Sequence, residues 1–341
     1  MKKFLPAILA LLCAMLQSCS LWHDDLEPCD YGCYVHFVYD YNTAKEDRFD
    51  KLVGGVTVLV YDQNDRFVTS QTGPDDLLHL QDYVMHLNLQ PGTYNIGCVA
   101  MQHPKQQLWQ DSGPAFRYDL PKVGDKMSDF QVVLDRKNGL VDNSVPLDTL
   151  WATLKYSGFE VKDMQAVHDT LHLFALPNFI NVNIHNISQK QGGQQATYTI
   201  KITAQNGTSD LVGDLHDDEL LTYHSLSTTT GTDDKGQPVT SAKFMISRMV
   251  LYDSDADNKS KGPRLTVTDD LTGDVVFDEP IAPLLAQGNK AWAKEGWSEQ
   301  EYLDREHHFD IDINVDGTHW SYAVVRVNIL SWALRIQNID L

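Results

Sequence analysis

From residue 33 onward, β-branched and aromatic residues recur at every second position in short runs, with Gly, Pro, Asn and Asp between them. This is the pattern of short antiparallel strands. Cys33 to Tyr39 is one run, and Val56 to Tyr61 is another that sets Val56, Val58 and Val60 on one face. Asp62, Asn64 and Asp65 form a turn signal before Phe67 and Val68. Tyr83, Met85, Leu87 and Leu89 alternate up to Pro91 and Gly92, and Tyr94, Ile96, Cys98 and Ala100 alternate on the return. Phe130 to Leu134 closes this set. Leu147, Leu150, Trp151 and Leu154 then recur at helical spacing, which predicts a helix or turn over Asp148 to Tyr156.

The second half begins again with strands at Thr170 to Leu176, Ile180 to Ile187 and Thr197 to Ala204. The Thr-, Gly- and Asp-rich stretch from Ser225 to Gly236 predicts an exposed, mobile loop. Lys243 to Tyr252, Arg264 to Thr268 and Val275 to Phe277 resume the strand pattern. Ser298 and Glu301 have capping-box spacing and predict a helix from Ser298 to Arg305. Three further strand-like runs follow, at His308 to Val315, Ser321 to Leu330 and Trp332 to Ile339. Many short strands with little helical period imply an all-β class built as β-sandwiches. The change of pattern near residue 160 divides the chain into 31–160 and 161–341.

The first residues add a different signal. Lys2 and Lys3 precede the apolar run Phe4 to Met15, which is followed by Leu16, Gln17, Ser18 and Cys19. A basic start, a short apolar core and a small residue before the cut describe a secretory signal. A run of about a dozen residues is short of the roughly twenty needed to span a bilayer. The cysteine directly after Ser18 makes this a lipoprotein signal, with 1–18 removed, Cys19 acylated and 19–30 left as a tether. One acyl chain holds only marginally, whereas two or three anchor stably. Asp24, Asp25 and Glu27 in the tether resemble a surface-export signal, and read equally well as a solvated linker.

Of 341 residues, 42% are hydrophobic and 22% charged, as in an ordinary globular protein. The 27 basic and 47 acidic residues give a net charge of -20, which argues against nucleic acid and anionic lipid as partners. Cys29, Cys33 and Cys98 remain once Cys13 and Cys19 are set aside. Export permits a disulfide among them, with either Cys29 or Cys33 joined to Cys98, or Cys29 joined to Cys33.

Candidate chemistry is sparse. Asp253, Asp255 and Asp257 begin like a calcium loop, but Asn258 stands where Gly is needed and Arg264 where a bidentate Glu is needed. His168 and His172 lie on the approach to a strand and lack the intervening Glu of a metalloprotease helix. His307, His308, Asp310, Asp312 and Asp316 suggest a metal or acid-base cluster until the strand period is applied. His308, Asp310 and Asp312 then share an outer face, while Phe309, Ile311 and Ile313 fill the core. No nucleophile elbow, phosphate loop or dinucleotide fingerprint occurs. No residue set calls for a cofactor, metal or catalytic role.

The segments Cys33 to Asn42, Val58 to Asp62, Leu89 to Tyr94 and Trp332 to Leu341, with Phe49 between the first two, resemble the FimB-type fimbrial anchor family in order and spacing. These are minor subunits of type V fimbriae in Gram-negative anaerobes. The resemblance implies two transthyretin-like β-sandwich domains with a few short helices and a lipid tether at Cys19. It also implies a place on the outer membrane at the base of a filament whose length the anchor influences. The implied partners are a fimbrial shaft subunit and, through the acyl chains, the outer membrane. An edge strand exchanged between subunits would supply the contact. Trp332, Leu334, Ile336 and Ile339 mark a candidate donor strand, the alternative being that this strand completes its own domain. A surface glycan-binding lipoprotein is the other reading, with Trp109, Trp292 and Trp297 as candidate stacking rings.

Overall fold

The computed structural model describes residues 31–74, 76–103, 116–142, 146–186, 197–234, 236–252, 261–286, 295–316, 319–329 and 332–335, with side chains described up to residue 316. Cys19, Cys29, Trp109, Trp292, Ile336, Ile339 and the Asp253 to Asp257 turn lie outside the described residues.

The first strands are β1 (Gly32–Val38), β2 (Gly55–Asp62), β3 (Phe67–Thr72), β4 (Val84–Leu87), β5 (Gly92–Met101), β6 (Phe116–Arg117), β7 (Val132–Leu134) and β8 (Leu140–Val141). They are followed by β9 (Leu150–Thr153), β10 (Ser157–Val161), β11 (Ala166–Ala175), β12 (Asn178–Asn186), β13 (Tyr198–Ala204), β14 (Thr208–Ser209) and β15 (Leu221–Tyr223). The remainder are β16 (Ser227–Thr232), β17 (Pro238–Ile246), β18 (Arg264–Asp269), β19 (Val275–Pro280), β20 (His308–Asp316), β21 (His319–Ile329) and β22 (Trp332–Arg335). Among the described residues three short α-helices punctuate them: α1 (Phe49–Leu52), α2 (Ile281–Ala286) and α3 (Glu299–Arg305).

The first sheet runs β3-β2-β5-β9-β11-β1-β4, with β10 also on β5. The second runs β16-β17-β12-β20-β21-β22, and the third β19-β18-β13-β15-β8. A small sheet, β14-β7-β6, lies beside them. Each large unit contains one parallel pairing of its opening strand, β1 with β11 and β12 with β20. The fold is all-β, as its alternating sequence implies.

Period-two alternation decides which core each side chain enters. On β2, Val56, Val58 and Val60 face the first core with Val35, Phe37, Ile96, Cys98 and Leu171. From the opposite face Leu59 and Tyr61 enter the second core. The same division holds for β5, where Ile96 and Cys98 face one way and Val99 and Met101 the other. The second core is filled by Ile180, Val182 and Ile184 of β12, Phe244 of β17, Ile311 and Ile313 of β20, and Leu265 and Val267 of β18. The first sheet is therefore covered on both faces.

Three expectations change. Asp148 to Tyr156 contains a strand, β9, and no helix, because Leu150–Thr153 is buried on every side between β5 and β11. A short continuous apolar run carries no period that separates helix from strand. Ser225 to Gly236 is not all loop, since β16 forms a regular ladder along β17 although all six of its residues are exposed. The division at residue 160 falls inside the first sheet, since β10 pairs with β5 and β11 pairs with β1 and β9. The first sheet ends at Ala175, and the second opens at Asn178. The helix expected from Ser298 is present as α3, with the Ser298 side chain accepting from Glu301 N at 3.0 Å. Glu301 itself accepts from Arg305 Nε at 2.9 Å.

Candidate interface: sheet edges and the junction

The terminal strand β22 is hydrogen-bonded antiparallel to β21, with Trp332 opposite Ile329 and Leu334 opposite Val327. In this chain it closes one edge of its own sheet. The opposite edge is β16, whose hairpin with β17 is fixed by Asp233 N to Gln237 O at 2.8 Å and by Gln237 N to Asp233 Oδ1 at 2.8 Å.

The face of the second sheet opposite its apolar core carries a polar ladder. Asn181 Nδ2 donates to Asp310 Oδ1 at 2.9 Å, Asn183 Nδ2 to Asp312 Oδ1 at 3.2 Å, and Ser241 Oγ to Asn183 Oδ1 at 2.7 Å. His185 Nε2 stands 3.0 Å from the same Asp312 oxygen. Phe309, Ile311 and Ile313 point into the core, as the strand period requires. The ring nitrogens of His307 are buried. Among the described residues no group of three His, Cys, Asp or Glu side chains is arranged to hold a metal ion. On the first sheet Tyr34 is stacked between His86 at 4.4 Å and His168 at 5.1 Å, while His172 Nδ1 lies 3.2 Å from Asp40.

Apart from Trp297, the two sandwiches are joined by residues the sequence did not single out. Arg248 donates from Nε and Nη2 to the two Asp304 oxygens at 2.8 Å each, donates to Gly213 O at 2.7 Å, and lies over the Phe174 ring. The Arg305 guanidinium lies 3.8 Å over Tyr41 and 4.8 Å over Trp297. Lys45, from the loop after β1, pairs with Glu295 and stands over Trp297. Trp297 is 9% exposed and belongs to the second core. It is thus unavailable as a sugar-stacking ring, because both cations and the core occupy its surroundings. Just beyond α3, Glu306 accepts from His307 N and His308 N at 3.0 and 2.9 Å. Burial pushes its carboxyl up to about 7 and the adjacent His307 ring down to about 4.

Cys33 and Cys98 are both free thiols within the first core, so the Cys33 to Cys98 disulfide does not form. Cys33 sits in the β1 ladder between Leu87 and Val167, whereas Cys98 sits in β5 opposite Val58. Thr153 Oγ1 holds Cys98 by accepting from its backbone N–H at 2.6 Å and donating to its carbonyl at 3.1 Å. Burial pushes each thiol up to about 12.

No curated protein sequence matches the chain. Among solved structures, an adhesin candidate from Bacteroides thetaiotaomicron shares 23% identity over 92% of this chain and 100% of its own, with a TM-score of 0.71. A polysaccharide-binding candidate from the same organism shares 22% over 90% and 99%, with a TM-score of 0.69. The fimbrial anchor protein Mfa2 from Porphyromonas gingivalis shares 16% over 89% and 98%, with a TM-score of 0.63. At these identities the likeness establishes the fold. The family model for fimbrillin-A associated anchor proteins Mfa1 and Mfa2 matches residues 26–338. With that match running across both sandwiches, the chain belongs to the family of fimbrillin-A associated anchor proteins, a family of structural fimbrial components.

Proposed function

We propose that the chain is an outer-membrane lipoprotein, acylated at Cys19 and exposed at the cell surface. In this reading it holds a type V fimbrium to the cell and influences the filament's length. Family membership supports the anchoring role, and the Leu16 to Cys19 signal supports the lipid tether. The observation that carries the reading is the separation of the two ends. The chain enters the first sheet through β1, immediately after the tether, and its last described strand lies at an edge of the second sheet. A molecule arranged in this way has its lipid at one sandwich and a strand-bearing edge on the other. Contact with the shaft subunit is assigned to strand pairing at the second sheet, with Trp332 to Ile339 as candidate donor.

Mass spectrometry of the mature amino terminus tests the tether: a diacylglyceryl-modified Cys19 is expected, and an unmodified terminus refutes it. Deleting the gene tests anchoring and length. Fimbriae shed into the medium, with an altered length distribution in micrographs, are expected; unchanged attachment refutes the role. Removal of Trp332 to Leu341 should abolish co-purification with shaft subunits while leaving a folded protein.

A further inference from the structure

The free edges of the described sheets are not equally protected. Native sheets guard an edge with shortness, charge, proline or a bulge. β4 has four residues and β8 has two. The ladder of β3 on β2 shifts register at Val60/Tyr61. That of β19 on β18 shifts at Val267/Thr268, and β19 ends in Pro280. The five-residue β10 carries Glu160, which pairs with Lys162 beyond its end. β16 has none of these devices. Its six residues, Ser-Thr-Thr-Thr-Gly-Thr, are uncharged, pair with β17 from Ser227↔Lys243 to Thr232↔Pro238 without a shift, and are all exposed. Among the described residues no strand pairs with its other side.

The inner row of this edge is open as well. Thr228 and Thr230 stand opposite Ala242 and Thr240, both buried, yet are themselves exposed. Burial along the inner face of the sheet thus stops at β17, one strand short of the edge. An added strand would set alternate side chains into that margin while its backbone pairs with β16 over six residues, roughly 20 Å of ladder. The hydrogen-bonded turn at Asp233 and Gln237 holds the edge in its pairing conformation, so little order has to be gained on binding.

We propose that the outer edge of β16, with Thr228 and Thr230 as its inner row, accepts an extended strand from a fimbrial subunit. That strand is free of acidic residues and carries apolar residues at alternate positions. The assignment rests on the anchoring function above and adds, at the opposite edge of the sheet from the candidate donor Trp332 to Ile339, an edge that accepts a strand. A second copy of this chain is disfavoured as occupant, since each copy carries a net charge of -20 and the edge itself offers no cation to offset it.

The test uses the full-length anchor in the cell that makes the fimbriae, in three forms: the natural protein, a Thr228→Lys/Thr230→Lys variant that puts charge in the inner row, and Thr229→Val on the outer row. The double variant should lower fimbriae recovered with the anchor by at least about tenfold, with Thr229→Val near the natural level. Hydrogen exchange on the natural complex provides a readout that does not depend on a variant folding. Those amides of residues 228–232 that point away from β17 should slow at least about tenfold relative to the isolated anchor. Undiminished recovery with the folded double variant, or unchanged exchange in the natural complex, overturns the β16 assignment and leaves anchoring intact. Failure of the natural anchor to recover fimbriae overturns both. Protection of these amides in an isolated protein of doubled mass assigns the edge to a second copy and overturns the proposal.

Discussion

Arg248 and Asp304 face each other fork to fork, Nε to Oδ1 and Nη2 to Oδ2, both at 2.8 Å, with Asp304 only 6% exposed. The pair ties the stretch after β17 to α3, while the guanidinium also covers Phe174 of the first sheet. Removing one partner of a buried pair costs about 3–5 kcal/mol, and the exposed Asp214, 3.4 Å from Arg248 Nη1, is too solvent-screened to offset much of the charge left behind. Asp304→Ala should therefore lower the unfolding free energy by about that amount in denaturant titrations. A double variant, Arg248→Met with Asp304→Leu, should recover most of the loss because it strands no charge.

Glu306 and His307 give the junction opposite pH sensitivities. The Glu306 carboxyl is raised from 4.5 to about 7 on folding. The folded state thus holds its proton more tightly, and stability falls as pH rises from 4.5 through 7. His307 is lowered from 6.5 to about 4, so its contribution is lost as pH falls through that range. Glu306→Gln keeps an oxygen acceptor for the two backbone amides and removes the ionisation. Its stability relative to the natural protein should grow by about 3 kcal/mol between about pH 4.5 and pH 8, read by denaturant unfolding at each pH.

Cys33 and Cys98 are both 0% exposed, and burial raises both thiols to about 12. The thiolate is the reactive form, so alkylating reagents should leave both untouched in the native protein and modify both after unfolding. Peptide mass spectrometry after timed labelling checks this. Rapid native labelling of Cys98 would contradict its position between Thr153 and Val58.

Gly213 has φ +76, and a Cβ built there would stand 2.6 Å from Phe174 Cζ. Its carbonyl also accepts from Arg248. Gly213→Ala combines left-handed strain with a clash and should destabilise by about 1–3 kcal/mol. A thermal melt compared with that of Gly236→Ala separates the two causes. Gly236 has φ +74 and open space around its Cβ position, so it carries the strain alone.

Much of the architecture was legible because one-sided burial writes a period into the sequence. Val56, Val58 and Val60, or Phe309, Ile311 and Ile313, announce their strands in this way. Leu150–Thr153 was not legible, since burial on both faces erases the alternation. β16 is hidden in the sequence for the converse reason: with every residue exposed, it has no apolar face to reveal it. The threonines themselves were the available signal, through their β preference. Arg248 and Asp304 are 56 positions apart in unremarkable local sequence, and only the packing of two sandwiches brings them together. Trp297 likewise gave no sign that Lys45, from the other end of the chain, stands over its ring.

Because β2 and β5 give alternate side chains to two different cores, no residue boundary separates the chain into modules that could be exchanged independently. Leu59 and Val99 belong to the same core cluster as Ile180, Phe244 and Ile311, so a change in size at either is felt in a core shared with the second half. Chimaeras spliced between β11 and β12 should therefore inherit a mismatched seam.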